Sequence, residues 1–260
     1  MTDGLRLALG TLAAVRVPAP RRVDRRVAAQ AMLLAPLVGV LLGLAAEGAA
    51  LAVRWLVPGT TDRLLVATVA VATVALLTRA LHLDGLADTA DGLGSGRRGP
   101  EAAAVMRRSD VGPFGVATLV LVVLVDVAAL DVALLRGRGT VALLGGVVVS
   151  RLAITWSTRT SVPAASTDGL GASVAATVKT LPLMLVTAAV AGFLVVLGLW
   201  EDDVVSSFVW HALVAGGLAL AASQLLVRRA VNRFGGVTGD VLGAAAEVAF
   251  MVYVFVICVR

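Results

Sequence analysis

The chain has 260 residues, of which 59% are hydrophobic and only 15% are charged, and its mean hydropathy is +0.95. Such a chain has too little polar surface to cover a soluble globule, so the composition indicates an integral membrane protein and excludes a large soluble domain. Aromatic residues make up only 4% of the chain, which favours packed helices over a barrel with aromatic girdles. The net charge is +5. In a membrane protein the placement of basic residues indicates the orientation of the chain, so this charge does not point to a nucleic-acid partner.

The first apolar segment is too short to cross a membrane. Residues 4–15 are interpreted as an interfacial helix, which Pro18 and Pro20 end before the first crossing. The rest of the chain predicts an all-α bundle of about seven transmembrane helices that forms one domain over residues 1–260. Six helices plus a re-entrant segment is the alternative, because the glycine-rich 141–156 run is the weakest span. The crossings are predicted near 31–54, 64–83, 114–135, 140–157, 182–200, 208–227 and 241–259.

Basic residues are divided unevenly between the two sides of the predicted bundle. With a cytoplasmic N-terminus, fifteen of them fall in the cytoplasmic segments and five fall on the opposite side. The positive-inside rule therefore favours a cytoplasmic N-terminus and an external C-terminus. We expect a multi-pass protein of the cytoplasmic (cell inner) membrane that contacts lipid, and the sequence is compatible with a homo-oligomer.

Three aspartates form the most informative pattern in the sequence. Asp84, Asp88 and Asp91 stand at i, i+4 and i+7, so on a helix they share one face. Carboxylates so close repel one another unless a cation neutralises them, and oxygen ligands of this kind suit Mg²⁺. We predict that all three are catalytic and hold the metal, the alternative being a solvated helix end whose acids pair with nearby arginines. His82 is predicted to point away from this face, as an interfacial residue.

A second acidic pair lies near the C-terminus of the chain. Asp240 and Glu247 are seven residues apart and therefore share a helix face. Asp240 follows a glycine-rich turn, where an N-cap aspartate is common. Glu247 lies about two turns inside an apolar span, where an ionisable group usually faces a cavity or a partner. Because the predicted topology puts Asp240 and Asp84 on one side of the membrane, the two acidic clusters are expected to face each other in a catalytic site for phosphate chemistry.

Basic and polar side chains near these clusters are candidate substrate-binding residues. Arginine binds phosphate oxygens bidentately, although anchoring at the cytoplasmic surface is the alternative for most of them. A mid-membrane arginine such as Arg151 needs a counter-charge or a polar cavity. The candidates are Arg107, Arg108, Ser109, Arg151, Asn232 and Arg233.

Three motifs carry a resemblance to a known family. They are HLDGLADTADGL at 82–93, MRRSDVGPFG at 106–115 and GGVTGDVLGAAAE at 235–247. With these motifs the chain resembles the cobalamin synthase family, also called adenosylcobinamide-GDP ribazoletransferase, over nearly its whole length. The resemblance implies a membrane-embedded, Mg²⁺-dependent phosphotransferase that acts in the last steps of cobalamin nucleotide-loop assembly. The order Arg108-Ser109-Asp110 departs from the Asp-Ser-Arg order expected for the family.

The implied reaction is a phosphoryl transfer between two small molecules. A hydroxyl of α-ribazole, or of its 5′-phosphate, attacks the cobinamide-linked phosphorus of adenosylcobinamide-GDP, GMP leaves, and adenosylcobalamin or its phosphate is formed. Asp240 or Glu247 would complete the metal shell or accept the hydroxyl proton. Two other classes fit less well. A CDP-alcohol phosphatidyltransferase requires arginine where Asp88 stands, and a proton or ion transporter does not need three clustered acids at a helix end.

Overall fold

The structure, a computed structural model, describes residues 1–57, 63–106, 110–201 and 207–259. The named elements in these ranges are all helices, which confirms the predicted all-α class. A π-helical turn at Val141–Gly145 leads directly into the eighth α-helix. The α-helices are α1 Asp3–Leu12, α2 Arg25–Leu33, α3 Ala35–Leu56, α4 Arg63–Leu77, α5 Leu81–Gly94, α6 Gly99–Met106, α7 Pro113–Leu135, α8 Gly146–Ser157, α9 Gly169–Val174, α10 Thr180–Glu201, α11 Ser207–Phe234 and α12 Gly239–Val259.

Five of the described helices, α3, α7, α10, α11 and α12, are long and apolar enough to cross a membrane. Helices α4 and α5 together form a sixth candidate, but they are bent by 86° at the break between them. The apolar helix Val141–Ser157 is shorter than the roughly 20 residues that a crossing needs. The crossings predicted near 64–83 and 140–157 are therefore a broken span and a short helix instead of two straight spans.

Two short capped helices precede the first long one. The Thr2 hydroxyl accepts a hydrogen bond from the Leu5 amide at 3.4 Å and begins α1, which corresponds to the helix predicted for 4–15. Helix α2, which the sequence analysis did not separate from the first crossing, begins at the Asp24 carboxylate, 2.8 Å from the Val27 amide. Pro36 then stands in the first turn of α3, where its missing amide hydrogen breaks no helical hydrogen bond.

The bend between α4 and α5 rests on two residues in the left-handed region. Arg79 and Ala80 have φ angles of 55° and 54°, and the Ala80 amide donates to the Ala75 carbonyl at 2.7 Å to close the last turn of α4. Since left-handed backbone is unfavourable for residues other than glycine, contacts must hold it. One is a 2.5 Å hydrogen bond from the Ala14 amide to the Leu77 carbonyl. The bend sends α5, with its acidic residues, away from the direction of α4.

Helices α8 and α12 form the centre of the bundle. Every side chain of α8 except that of Trp156 is buried, and α12 contacts α5, α7, α8 and α11. Small residues make this packing close: a Cβ at Gly146 would lie 3.0 Å from the Phe250 ring. Close backbone approach of this kind is the usual basis of helix association in membranes.

Candidate active site

A cavity of about 390 Å³ opens where α5 meets the first turn of α12. Helices α1, α2, α6 and α8 and the segment 165–171 complete its walls. Asp84, Asp168 and Asp240 line the cavity together with His82. It is therefore the place where the two acidic motifs of the sequence meet.

Glycines bring α5 and α12 into backbone contact. An ideal Cβ at Gly85 would lie 2.6 Å from the carbonyl oxygen of Asp240 and 2.8 Å from its Cα. A Cβ at Gly243 would lie 3.0 Å from the Cα of His82. Real Cβ atoms do not approach backbone so closely, so a side chain at Gly85 would force the helices apart. This contact places Asp84 and Asp88 beside Asp240, as the sequence analysis expected of the two clusters.

The carboxylates near this contact repel one another. Asp84 is exposed and Asp88 is half-buried, and the charges of Asp84, Asp240 and Asp91 all act on the Asp88 carboxylate. No group of three carboxylate, imidazole or thiolate side chains in the described part of the chain is arranged to hold a metal ion. Asp84, Asp88 and Asp91 form a cluster of like charges, and their role as a metal site stays a prediction.

Asp91 has partners that the sequence analysis missed. Its buried carboxylate accepts hydrogen bonds from the amides of Gly112 at 2.7 Å and Gly115 at 2.9 Å. These are amides at the N-terminus of α7, which have no partner within the helix. A Cβ at Gly112 or Gly115 would collide with the carboxylate, so the glycine spacing in this motif was the available signal. Asp91 holds α7 against α5, and its role as a metal ligand stays a prediction.

Asp240 is not the N-cap of α12, so capping does not account for this aspartate. The helix begins at Gly239, and the Thr238 hydroxyl accepts from the Val241 amide at 3.2 Å. Thr238 is therefore the cap, because its side chain reaches the third helical amide. The same hydroxyl lies 3.2 Å from Oδ2 of Asp240. The Asp240 carboxylate is thus half-buried at the cavity wall, free of the capping role.

Glu247 lies deeper, in a polar cluster inside the bundle. Its Oε1 is 3.9 Å from Nδ1 of His82, and its charge acts on Arg151 and Asp126. Arg151 is 1% exposed and donates to the Ser150 hydroxyl at 2.7 Å, while its Nε and Nη2 find no hydrogen-bond partner among the described residues. A pocket of about 20 Å³ between Asp126, Arg151 and Glu247 has room for a water molecule.

This inner cluster changes three of the sequence predictions. His82 is buried and not interfacial, since its helix is covered by α12 at Gly243. Glu247 and Arg151 do not line the cavity that holds Asp84 and Asp240. Arg151 does have the counter-charge and the polar pocket that a mid-membrane arginine needs.

The remaining candidates lie around the C-terminal end of α5 or outside the described residues. Arg233 donates to the carbonyl oxygen of Leu93 at 3.3 Å, and Asn232 is exposed. Neither lines the cavity. Three more candidates, Arg107, Arg108 and Ser109, fall outside the described ranges.

The segment 164–171 is a part of the site that the sequence analysis did not select. Its Ala165 amide donates to the Val237 carbonyl at 3.1 Å, and the Val237 amide donates to the Pro163 carbonyl at 2.9 Å. These bonds hold the segment against the glycine-rich turn before α12 and put Ser166 and Asp168 on the cavity wall. The signal in the sequence was the run Asp168-Gly169-Leu170-Gly171, in which Gly169 has a φ of 86°.

The fold and the site define an integral membrane protein of the helical-bundle class with an acidic, partly enclosed cavity between α5 and α12. The model of the family described as cobalamin-5-phosphate synthase matches residues 4–258, and the chain belongs to this family.

Curated relatives span almost the entire chain. A protein of Frankia casuarinae named adenosylcobinamide-GDP ribazoletransferase is 43% identical, over 94% of this chain and 90% of its own length. Proteins of the same name from a Nocardioides species and from Syntrophobacter fumaroxidans are 43% and 38% identical, over 96% and 93% of this chain and 95% and 92% of their own. No solved structure matches the chain significantly.

Proposed function

We propose that the chain is an adenosylcobinamide-GDP ribazoletransferase. A hydroxyl oxygen of α-ribazole, or of its 5′-phosphate, forms a bond to the cobinamide-linked phosphorus of adenosylcobinamide-GDP. The bond from that phosphorus to the GMP oxygen breaks, the hydroxyl proton passes to a base, and adenosylcobalamin or its phosphate is the product. Relatives of that name, similar over nearly the whole chain, carry the proposal, and the acidic cavity supports it.

The carboxylates at the contact between α5 and α12 fit a divalent cation. Asp84, Asp88 and Asp240 offer only oxygen donors, and their mutual repulsion is relieved when a cation binds. In our proposal Asp84, Asp88 and Asp91 hold Mg²⁺, and the Asp91 carboxylate also keeps α7 in place by accepting hydrogen bonds from two of its amides. Bound Mg²⁺ would neutralise pyrophosphate oxygens and stabilise the charge of the GMP leaving group.

Asp240 is the better of the two candidates for the proton acceptor. It lines the cavity and lies at the first turn of α12, whereas Glu247 faces Arg151 and His82 inside the bundle. A general base must lie within hydrogen-bond reach of the proton that it removes. In our proposal Asp240 accepts the hydroxyl proton, and the Thr238 hydroxyl, 3.2 Å from Oδ2, orients it.

The phosphate contacts are proposed for basic and polar side chains from two segments of the sequence, 107–109 and 232–233. Arg233 already contacts the C-terminal end of α5 through the Leu93 carbonyl. Arg107, Arg108, Ser109 and Asn232 are the other proposed phosphate contacts, since guanidinium groups bind phosphate oxygens bidentately.

A direct assay tests the reaction. Purified protein is incubated with adenosylcobinamide-GDP, α-ribazole and Mg²⁺, and released GMP is measured by chromatography. We expect GMP in equal amount to the cobalamin product, and no GMP when Mg²⁺ is chelated. If CMP is released from a CDP-alcohol instead, the protein is a phosphatidyltransferase. If no substrate is turned over but ions move across vesicles, it is a transporter.

The proposed location is the cytoplasmic membrane with the cavity on the cytoplasmic side. Cysteines at Arg97 and Ser173, both exposed, test this in a variant whose Cys258 is replaced. We expect a membrane-impermeant thiol reagent to label both only when the cytoplasmic face is accessible. Labelling of the two cysteines from opposite sides would separate α5 from the 164–171 segment and contradict the shared site.

A further inference from the structure

The walls of the cavity between α5 and α12 differ with depth. Its buried lining is mainly apolar, with buried His82 beside five apolar side chains that are less than 5% exposed: Leu12, Met32, Met106, Ile154 and Leu242. Its exposed lining carries the polar side chains of Asp84, Ser166 and Asp168, together with two exposed leucines, Leu81 and Leu170. A ligand with an apolar end among the buried side chains and a polar end beside the exposed carboxylates therefore matches this cavity.

The size of the cavity distinguishes between the two substrates. A cavity of about 390 Å³ encloses a compound of ordinary drug size. A nucleoside such as α-ribazole, a flat bicyclic benzimidazole base on a ribose, is of that size. The corrin ring with its side chains, the adenosyl group and GDP is several times larger, so only part of the donor could enter.

We propose that this cavity is the subsite for the acceptor nucleoside, and that its depth selects the base. The inference rests on the proposed function and adds to it the half of the site that takes the acceptor. The base lies among the apolar side chains, where the thioethers of Met32 and Met106 make favourable contacts with an aromatic ring. The ribose lies at the mouth beside Asp168 and Asp240, so that its reacting hydroxyl meets the donor phosphorus at the carboxylates.

Ala103 is the specificity-determining residue of this subsite. It lies on α6, is half-buried and lines the cavity, whereas the next residue, Ala104, is exposed and does not line it. A larger side chain at Ala103 shortens the space for the base, and the same change at Ala104 meets solvent or lipid. The two alanines therefore provide a matched pair of variants on one helix.

The test compares Ala103→Leu with Ala104→Leu in steady-state GMP release. Ala103→Leu should raise KM for α-ribazole about tenfold, since a methyl-sized difference in an apolar pocket has effects of that order. It should leave KM for adenosylcobinamide-GDP unchanged, and also KM for a riboside of the smaller imidazole base. Ala104→Leu should change none of the three. An equal rise in KM for both substrates, or a rise in KM for adenosylcobinamide-GDP alone, would overturn the assignment of the cavity to the acceptor.

Leu170→Ala keeps the proposal testable if Ala103→Leu fails to fold. Leu170 lines the cavity but is 37% exposed, so its truncation should not unfold the protein. It should raise KM for α-ribazole and leave KM for the donor unchanged. Leu181→Ala, at an exposed position on α10 away from the cavity, is the control. An unchanged KM for α-ribazole in Leu170→Ala would refute the subsite alone, whereas wild-type turnover in Asp84→Ala would refute the proposed catalytic site.

Discussion

Replacing Gly85 by alanine should separate the two halves of the acidic site. The new Cβ would lie 2.6 Å from the Asp240 carbonyl oxygen and 2.8 Å from its Cα, and neither backbone atom can rotate away. Overpacking of this kind lowers the free energy of unfolding by roughly 1–3 kcal/mol. Replacing a helical glycine by alanine raises it by about 0.5–1 kcal/mol, because alanine loses less backbone entropy on folding. The expected net effect is a loss of up to about 2 kcal/mol of stability and a lower kcat, because α5 moves Asp84 and Asp88 away from Asp240.

The measurements are thermal unfolding in detergent and GMP release at saturating substrates. The matched control is Gly48→Ala, because Gly48 lies on α3 and an added Cβ there meets no described atom within 4 Å. Gly48→Ala should keep the wild-type rate and an equal or higher Tm. If Gly85→Ala unfolds at the wild-type temperature and turns over normally, α5 and α12 do not touch at this point, and the argument for a shared site is refuted.

Three further predictions follow from the same geometry. Asp84→Asn and Asp91→Asn should both abolish GMP release. Only Asp91→Asn should also destabilise the metal-free protein, by roughly 1–3 kcal/mol and with a lower Tm, because one helix amide loses its acceptor. Equal Tm values for the two variants would contradict the role of Asp91. Thr238→Ala should lower the free energy of unfolding by about 1 kcal/mol through the lost cap, and it should lower kcat while changing KM little. A change in KM alone would contradict the proposal that the Thr238 hydroxyl orients Asp240. Arg107→Ala should raise KM for adenosylcobinamide-GDP much more than Arg108→Ala does, since Arg107 precedes the inverted Arg-Ser-Asp order; equal or reversed effects would leave both as membrane anchors.

Local sequence patterns predicted most of the helices but not the break between α4 and α5. The sequence treats 64–83 as one apolar span, whereas the structure breaks it at Arg79 and Ala80. Neither residue is a glycine or proline, so no local signal marks the break. Contacts from the first helix and the chain that follows it, through the Ala14 amide, help to hold the unfavourable backbone. A bend maintained by a distant segment could not be predicted from local preferences.

By itself the sequence determined the membrane-embedded helical class, the acidic motifs and the expectation that the two motifs meet. Composition and helical period act locally, and they require no knowledge of neighbours. Only the tertiary structure decided where the acids lie: Asp91 accepts from the amides of α7, Glu247 lies inside the bundle where its charge acts on Arg151, and Asp240 faces the cavity. The reason is that a carboxylate's role depends on the donors and charges that other helices bring to it. Those partners stand far away in the sequence.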